Sequence, residues 1–424
     1  MICYTLLLRI TDAVSFIVFM GYVVWWLKQW RRMFYAPEFN RLPQPVRNTL
    51  RRAILNGFYK PDDKAAYKFF QQALRECQEL KMDPFSDEVL GIRITVLGWL
   101  ERIQNYPSAA IVVEGILSDL NQWIANLEQC EKEGKIDETG HLRKSEPLAL
   151  EGTPHPASQD FPPAQVSPPP PTTTAEPPRE TLWHKRQRLL SKAISAAVKL
   201  GELYASEHMM ETEKAHKHLR WAVETQLKEF QRRRTEGLKP GEEDTFMSPG
   251  EVGGSMESLG RDYERQGHFQ YAITLFFQSL QLCDSPCHRP VIMNNLAAAF
   301  AQQPLLVSTP ATVMDALENI SSMPMPSTRK ECLDAALNWV NNAYTHANDV
   351  KGSDRTPECD QACAVALCNW GDIAALMGKR DVAYKKYKQC IELSQKLNFT
   401  EGVTQAEEGM FKLDKQPLEQ TSSP

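Results

Sequence analysis

Two stretches of the chain carry the same pattern of small and aromatic residues at identical spacing. The first consists of Leu259, Gly260, Tyr263, Gly267, Ala272 and Phe276. The second repeats four of these offsets with Gly371, Gly378, Ala383 and Tyr387. Small residues on the facing sides of two antiparallel helices let the backbones approach, and a Gly between the helices can supply the positive φ of a tight turn. One such hairpin cannot bury its own apolar face, so the pattern predicts a stack of hairpins.

Weaker copies of the pattern lie before the first stretch and between the two. They are Ala66, Phe70 and Ala73; Leu97 and Gly98 with Ala110; Leu200, Gly201 and Tyr204 with Ala215, Leu219 and Ala222; and Asn295, Leu296, Ala297 and Phe300 with Ala336, Val340 and Ala343. A period of about 34 residues is that of the tetratricopeptide repeat. The sequence therefore predicts an all-α tetratricopeptide-repeat solenoid of about six helical hairpins. The alternative is an unrelated helical bundle whose small residues coincide by chance.

The N-terminal segment, residues 1–32, has a different character. Residues 13–27 contain no charged side chain, and with the apolar residues before them they reach the length of about 20 residues that a spanning helix needs. We predict a single-pass transmembrane helix in contact with membrane lipid; a cleaved signal peptide and a buried helix are the alternatives. The predicted anchor residues are Phe16, Phe19, Tyr22, Trp25 and Trp26.

Composition divides the remainder into helical blocks and polar segments. The predicted parts are a first helical repeat block at 43–131, a Pro-rich disordered linker at 134–180, a second helical repeat block at 182–413 with insertions at 236–254 and 304–329, and a polar tail at 414–424. The linker is rich in Pro, Ser and Thr, which cannot bury enough apolar surface to offset the entropy of ordering.

Charge and cysteine usage exclude several classes of function. A formal net charge of −5 gives no reason to expect a nucleic-acid partner. Ten cysteines in 424 residues do not form a disulfide scaffold. Two pairs are spaced CxxxC, Cys283 with Cys287 and Cys359 with Cys363, and their redox state is left open. We predict no metal site, because His288 and His346 fall in no ligand spacing.

No catalytic constellation or cofactor motif is visible, so the sequence predicts binding rather than an enzyme. The first helices of stacked hairpins line a groove, and the candidate groove residues are Glu257, Arg261, Asp262, Asn294 and Asn295. The acidic Glu257 argues against capture of a chaperone's C-terminal carboxylate. Acidic residues 242–244 and basic residues 232–234 are interpreted as solvated charges.

Several segments are similar to a known family. LPQPVRNTLRRAILNG and AAYKFFQQALRECQELKMDPFSDEVLGIRITVLGWLE, with the later GHFQYAITLFFQSLQL and VIMNNLAAAFAQQ, resemble fungal membrane-anchored tetratricopeptide-repeat proteins. These proteins are adaptors of the i-AAA protease in the mitochondrial inner membrane. The resemblance implies one inner-membrane helix, repeats in the intermembrane space, and an ATP-dependent membrane protease and unfolded proteins as partners.

The leading hypothesis is therefore a non-catalytic, membrane-anchored adaptor that binds unfolded or misfolded inner-membrane and intermembrane-space proteins and helps deliver them to the i-AAA protease. A structural assembly factor for an inner-membrane complex is the alternative. Potential glycosylation acceptors at Asn319 and Asn398 would place the repeats in the secretory pathway if they carried glycans.

Overall fold

A computed structural model describes residues 37–143, 180–303 and 328–415 of the chain, together with the isolated Met20 and Pro326. Apart from one antiparallel bridge between Ile136 and Leu142, the regular elements in these ranges are helical. The described residues fall into two compact units. The first contains 37–136 and 142–143, and the second contains 137–141 and the described residues from 180 onward.

The first unit contains two helical hairpins. Its helices are α1 (Gln44–Ile54), α2 (Asp63–Glu79), α3 (Asp87–Arg102) and α4 (Tyr106–Lys132), with a short 3₁₀ helix at Pro37–Arg41 and a π turn at Leu55–Tyr59. Side chains cap three of the helix starts: Asp62, Ser86 and Asn105 accept from backbone N–H groups three residues later. These caps satisfy backbone donors that the first turn would otherwise leave unpaired.

The second unit contains four hairpins followed by one further helix. The hairpins are α5 (Leu182–Ala205) with α6 (Thr212–Glu236), α7 (Pro249–Arg265) with α8 (Phe269–Leu282), α9 (Arg289–Gln302) with α10 (Arg329–Asp349), and α11 (Pro357–Leu376) with α12 (Arg380–Leu397); α13 spans Thr400–Lys415. Six hairpins thus lie within the described ranges, and the predicted all-helical repeat architecture is confirmed.

The glycines of the repeat pattern stand where two helices cross. A Cβ on Gly260 would lie 2.7 Å from the Phe276 ring, and one on Gly371 would lie 2.5 Å from the Tyr387 ring. Gly267 and Gly378 occupy the turns with φ of +76° and +74°. The remaining residues of the pattern line the core: Leu259, Ala272, Phe276, Ala383 and Tyr387 are buried, and Tyr263 is half-buried.

The last described hairpin is covered by α13. A Cβ on its Gly409 would meet the Tyr387 ring at 2.5 Å. The Tyr387 ring therefore packs against Gly371 of α11 on one side and against Gly409 of α13 on the other. The Tyr387 hydroxyl donates to Asp372 over 2.6 Å, which satisfies its polar end. This arrangement covers the last hairpin, which has no following repeat among the described residues.

The insertion predicted at 236–254 is not a loop throughout. From Pro249 onward it belongs to α7, because Pro249 stands in the first turn of that helix behind a capping box made by Ser248 and Glu251. The interpretation of the acidic and basic runs as solvated charges is wrong for Glu242, Arg232 and Arg233, whereas Arg234, Glu243 and Asp244 are exposed. The Glu242 carboxylate is buried and bound by Arg232 over 2.6 Å, and Arg232 and Arg233 both bind the buried Glu229.

Other predicted features fall at or beyond the described ranges. Residues 134–143, placed in the linker by composition, form a hydrogen-bonded turn around the Ile136–Leu142 bridge. The rest of the linker, Asn319 with most of its insertion, and nearly all of the tail lie outside the described residues. So do the anchor residues Phe16, Phe19, Tyr22, Trp25 and Trp26. Among the helices that are described, none combines the length and the apolar character required to cross a membrane.

Candidate functional site: a pocket lined by the first helices

A cavity of about 330 Å³ lies against the first helices of two successive hairpins in the second unit. We call it the first-helix pocket. It is lined by Ile194, Ser195, Val198, Lys199 and Glu202 of α5, by Met247, by Glu251, Gly254, Ser255, Glu257, Ser258 and Arg261 of α7, and by His288. Aliphatic side chains from α5 and Met247 form one part of the wall, while charged and hydroxyl groups form the other.

The spacing of these residues follows from helix geometry. Residues three, four and seven apart share one face of a helix, which is why Ile194, Val198 and Glu202 of α5 all reach the same cavity. On α7, Gly254 lies one turn before Ser258. The hydroxyl of Ser258 donates to the Glu202 carboxylate over 2.8 Å, and this bond joins the two helices at the pocket wall.

Glu257 is the buried acidic group of the pocket. Its carboxylate accepts hydrogen bonds from His288 Nε2 at 2.7 Å, from Arg261 at 2.9 Å and from Asn295 Nδ2 at 3.1 Å. Burial opposes ionisation of Glu257, but the hydrogen bond from His288 and the charge of Arg261 outweigh it, so the pKa of Glu257 is lowered. The carboxylate is therefore charged and its charge is compensated by its neighbours.

His288 bridges two carboxylates from different hairpins. Its Nε2 binds Glu257 on α7, and its Nδ1 binds Glu358 on α11 at 2.7 Å. The hydrogen bond to Glu257 is the main reason that the pKa of His288 rises to about 9, with a further contribution from Glu358 against the opposing effect of burial. The imidazole is thus a cation at neutral pH, and it closes one side of the pocket.

Three of the five predicted groove residues meet at this place. Glu257 and Arg261 line the pocket, and Asn295 binds Glu257 from α9. Sequence reasoning missed His288, because its role depends on two carboxylates that lie 31 and 70 residues away. The only sequence signal for His288 was its position immediately before α9, the first helix of its hairpin.

The other two predicted groove residues do not face open space. Asn294 is buried, and its amide donates to the carbonyl oxygen of Ala362 on α11 at 3.1 Å. Asp262 is also buried, and it is bound by His216 at 2.8 Å and by Gln266 at 2.7 Å. The assignment of Asn294 and Asp262 to a ligand-binding groove is wrong, because both side chains hold neighbouring elements together.

A second carboxyl group on α7 lies further along the helix. Glu264 accepts a hydrogen bond from Gln302 of α9 at 3.3 Å. Burial raises the pKa of Glu264 to about 7, although Arg261 and Arg265 oppose the rise. This carboxyl group therefore titrates near neutral pH, in contrast to Glu257 two turns earlier.

The two CxxxC motifs are joined to each other. A disulfide links Cys287 to Cys359, so that each motif contributes one residue to the bond. Their motif partners, Cys283 and Cys363, are buried thiols, and burial raises the pKa of both. The sequence left the redox state of these cysteines open, because the bond depends on the packing of α9 against α11.

The pocket lining combines groups that make apolar contacts with groups that make hydrogen bonds. It offers aliphatic surface, serine hydroxyls and compensated charges, and within the described ranges no group of three or more His, Cys, Asp or Glu side chains is placed to hold a metal ion. Such a mixture suits a short segment of polypeptide, whose side chains and amides need both apolar contact and hydrogen bonds.

Comparison with known proteins adds one informative relative. No protein-family model matches the chain. A TPR repeat-containing protein of Schizosaccharomyces pombe (strain 972 / ATCC 24843) is 27% identical over 168 residues, which is 38% of this chain and 42% of that protein. The chain therefore matches less than half the length of this relative. The match supports a protein of tetratricopeptide-repeat type.

A solved structure described as a circular tandem repeat protein with novel repeat topology and enhanced subunit contact surfaces also aligns with the chain. The alignment covers 87% of this chain and 70% of that one at 11% sequence identity, with a TM-score of 0.20. A score this low carries no argument about fold or function.

Proposed function

We propose that the chain is a non-catalytic adaptor that captures unfolded or misfolded polypeptide in the first-helix pocket and helps deliver it to the ATP-dependent i-AAA protease of the mitochondrial inner membrane. Helical repeats and a tetratricopeptide-repeat relative indicate a protein-binding scaffold or adaptor. The protease, the single-pass membrane anchor and the location of the repeats in the intermembrane space come from the sequence resemblance alone.

The observation that carries the proposal is the pocket itself. A volume of about 330 Å³ is enough for one or two side chains of an extended segment and too small for a folded domain. Its charges are largely paired among themselves, as in Glu257 with His288 and Arg261. A wall of this kind contacts many sequences weakly rather than one sequence tightly, which is what an adaptor for unfolded clients requires.

Site-specific photocrosslinking in the full-length protein tests the pocket. Ser195 is exposed and lines the pocket, so a photoreactive residue there would contact a bound client without breaking the Glu257 network. The matched control is Lys385, an exposed position on the second helix α12. We expect client crosslinks at Ser195 and few at Lys385. Crosslinks at Lys385 and none at Ser195 would contradict client binding along the first helices.

Co-purification under native conditions tests the delivery step. An adaptor should bring down an ATP-dependent membrane protease, together with clients that accumulate when the protease is inactive. Stoichiometric respiratory or import subunits without a protease would instead support a structural assembly factor. Glycans on Asn398, which is exposed at the end of α12, would contradict the mitochondrial location.

A further inference from the structure

The Cys287–Cys359 disulfide joins the third hairpin of the second unit to the fourth. Cys287 lies two residues before α9 begins, and Cys359 is the third residue of α11, 72 residues later in the chain. Both cysteines are buried. The bond therefore fixes the starts of two first helices against each other from inside the unit.

The residues next to the two cysteines form an ion pair. His288 follows Cys287, Glu358 precedes Cys359, and the imidazole binds the carboxylate at 2.7 Å. We call Cys287, His288, Glu358 and Cys359 the clasp. The other imidazole nitrogen reaches Glu257, so the clasp continues into the wall of the first-helix pocket. A covalent bond and a charged hydrogen bond thus hold His288 in place from adjacent positions.

We propose that Cys287–Cys359 is a structural disulfide that must close for His288 to be held as a wall of the first-helix pocket, and that the protein is therefore oxidised at these two positions where it works. The clasp itself does not depend on the proposed function. The consequence for client capture rests on that function.

Closing the clasp requires an oxidant of the disulfide-donor class. The thiolate of one cysteine attacks the donor's disulfide and forms a mixed disulfide, and one donor sulfur leaves as a thiolate. The second cysteine then attacks the mixed disulfide and releases the donor as a dithiol. The two cysteines lose two electrons and two protons, and the donor gains them. Because both sulfurs are buried, this exchange must happen before the starts of α9 and α11 are fully packed.

The chain offers a matched control for the clasp. Cys283 and Cys363 are also buried and belong to the same CxxxC motifs, but each remains a thiol. Cys283→Ser with Cys363→Ser therefore changes the same residue type at nearby positions without touching the bond. An internal reference for histidine chemistry is His346, which is exposed on α10.

The first measurement is the oxidation state in the cell. Full-length protein is trapped by acid, alkylated and digested without reductant. We expect a linked peptide pair containing Cys287 and Cys359, and alkylated Cys283 and Cys363. Recovery of Cys287 and Cys359 as alkylated thiols would overturn the proposal. Protein in the purified state should lose the bond to a phosphine reductant slowly when native and quickly in urea, because the sulfurs are enclosed.

The second measurement follows the position of His288. Acylation of histidines by diethyl pyrocarbonate is read by mass spectrometry in wild type, in the Cys287→Ser, Cys359→Ser variant and in the control variant. Loss of the bond should raise the reactivity of His288 relative to His346 severalfold, since the start of α9 is then no longer tied to α11 and the imidazole leaves its two carboxylate partners more often. Unchanged reactivity of His288 after loss of the bond would refute the clasp.

The outcomes separate the clasp from the proposed function. A clasp that forms and holds His288, in a protein that captures no client at Ser195, would keep the inference and reject the adaptor. Client capture that is equal in the clasp variant and the control would show that the bond does not act on the pocket. If the clasp variant fails to fold, reduction of the folded wild type followed by the same acylation gives the answer.

Discussion

The hairpins α3–α4 and α7–α8 have the same turn but different residues in it. In α7–α8 the N–H of Gly267 donates to Glu264 O at 2.9 Å and the N–H of His268 to Tyr263 O at 2.8 Å. In α3–α4 the corresponding bonds run from Gln104 to Glu101 and from Asn105 to Leu100, both at 2.9 Å. Gly267 has a φ of +76° and Gln104 a φ of +58°. The backbone geometry is thus shared although glycine is not.

The shared turn identifies which residues are equivalent. Gly260 lies seven residues before Gly267, and Leu97 lies seven before Gln104. The residue opposite Gly260 is Phe276, and the same offset from Leu97 leads to the buried Val113. The equivalent positions thus hold no side chain and a large ring in one hairpin, and two medium side chains in the other. We infer that the total volume between the helices must be kept, and not a particular glycine.

The largest effect in this comparison should come from removing the aromatic ring. Phe276 is fully buried, so Phe276→Ala should lower the stability of the second unit by about 3–5 kcal/mol through lost transfer energy and a cavity. Val113→Ala, at the equivalent place in α4, removes fewer atoms and should lower stability by about 2 kcal/mol. Amide hydrogen exchange of the full-length protein measures the stability loss in each hairpin separately, which is needed because the two units need not unfold together.

Ile111 supplies the control for this pair. It lies two residues before Val113 on α4 but is 67% exposed, so Ile111→Ala should change stability by no more than about 0.5 kcal/mol. If Ile111→Ala lowered stability more than Val113→Ala, Val113 would not lie on the inner face of α4, and its equivalence to Phe276 would be wrong.

Substituting the crossing glycine should have the next largest effect. Gly260→Ala places a Cβ 2.7 Å from a rigid ring and should cost about 1–3 kcal/mol. A Cβ on Gly98 would have no heavy atom within 4 Å other than those of its chain neighbours and its own helix backbone. Gly98→Ala should therefore stabilise α3 by up to about 1 kcal/mol through helix propensity. Both changes replace Gly with Ala, but Gly260→Ala should lower stability and Gly98→Ala should raise it.

A double variant sharpens this result. Gly260→Leu with Phe276→Val copies the pair found in α3–α4, so its destabilisation should be smaller than the sum of the two single effects. Hydrogen exchange across α7 and α8 gives all three values. Simple additivity would mean that the two sites do not share one volume, and the comparison between the hairpins would fail.

The same comparison explains how far the sequence could predict the fold. The offsets of Gly260 and Gly371 led to the two hairpins where the structure places those glycines at a crossing. In α3–α4 the pattern of small residues pairs Gly98 with Gly260, which is wrong by one residue. The offset of 16 from Gly98 leads to the exposed Glu114, which could not fill a crossing. A positive φ at Gln104 could not be read from the sequence, because nothing marks a glutamine for that conformation.

The pocket was predictable only in part, for a different reason. Helical periodicity places Glu257 and Arg261 on one face of α7, and both line the pocket. Whether a polar side chain on such a face meets solvent or a neighbouring helix depends on packing between hairpins. Asn294 meets a carbonyl oxygen of α11, and Cys287 meets Cys359 across 72 residues. No local pattern contains these distant partners.

The smallest predicted effect concerns the turn residue itself. A side chain in the left-handed region of φ and ψ is strained by about 1 kcal/mol relative to glycine. Gln104→Gly should therefore relieve strain, although glycine also gains entropy in the unfolded chain, and the net stabilisation of α3–α4 should be about 0.5 kcal/mol. Gly267→Ala introduces the same strain into α7–α8 and should cost about 1 kcal/mol. Apart from the chain neighbours, no heavy atom lies within 4 Å of a Cβ on Gly267, so the loss would come from the backbone alone. Hydrogen exchange of the N–H groups of Asn105 and His268, which close the two turns, reads the effect where it arises. Slower exchange at Asn105 in Gln104→Gly and faster exchange at His268 in Gly267→Ala would show that the two turns are interchangeable.

The same direction of change in both variants would mean that the glutamine side chain makes a stabilising contact of its own, and that the two hairpins keep their common turn for different physical reasons.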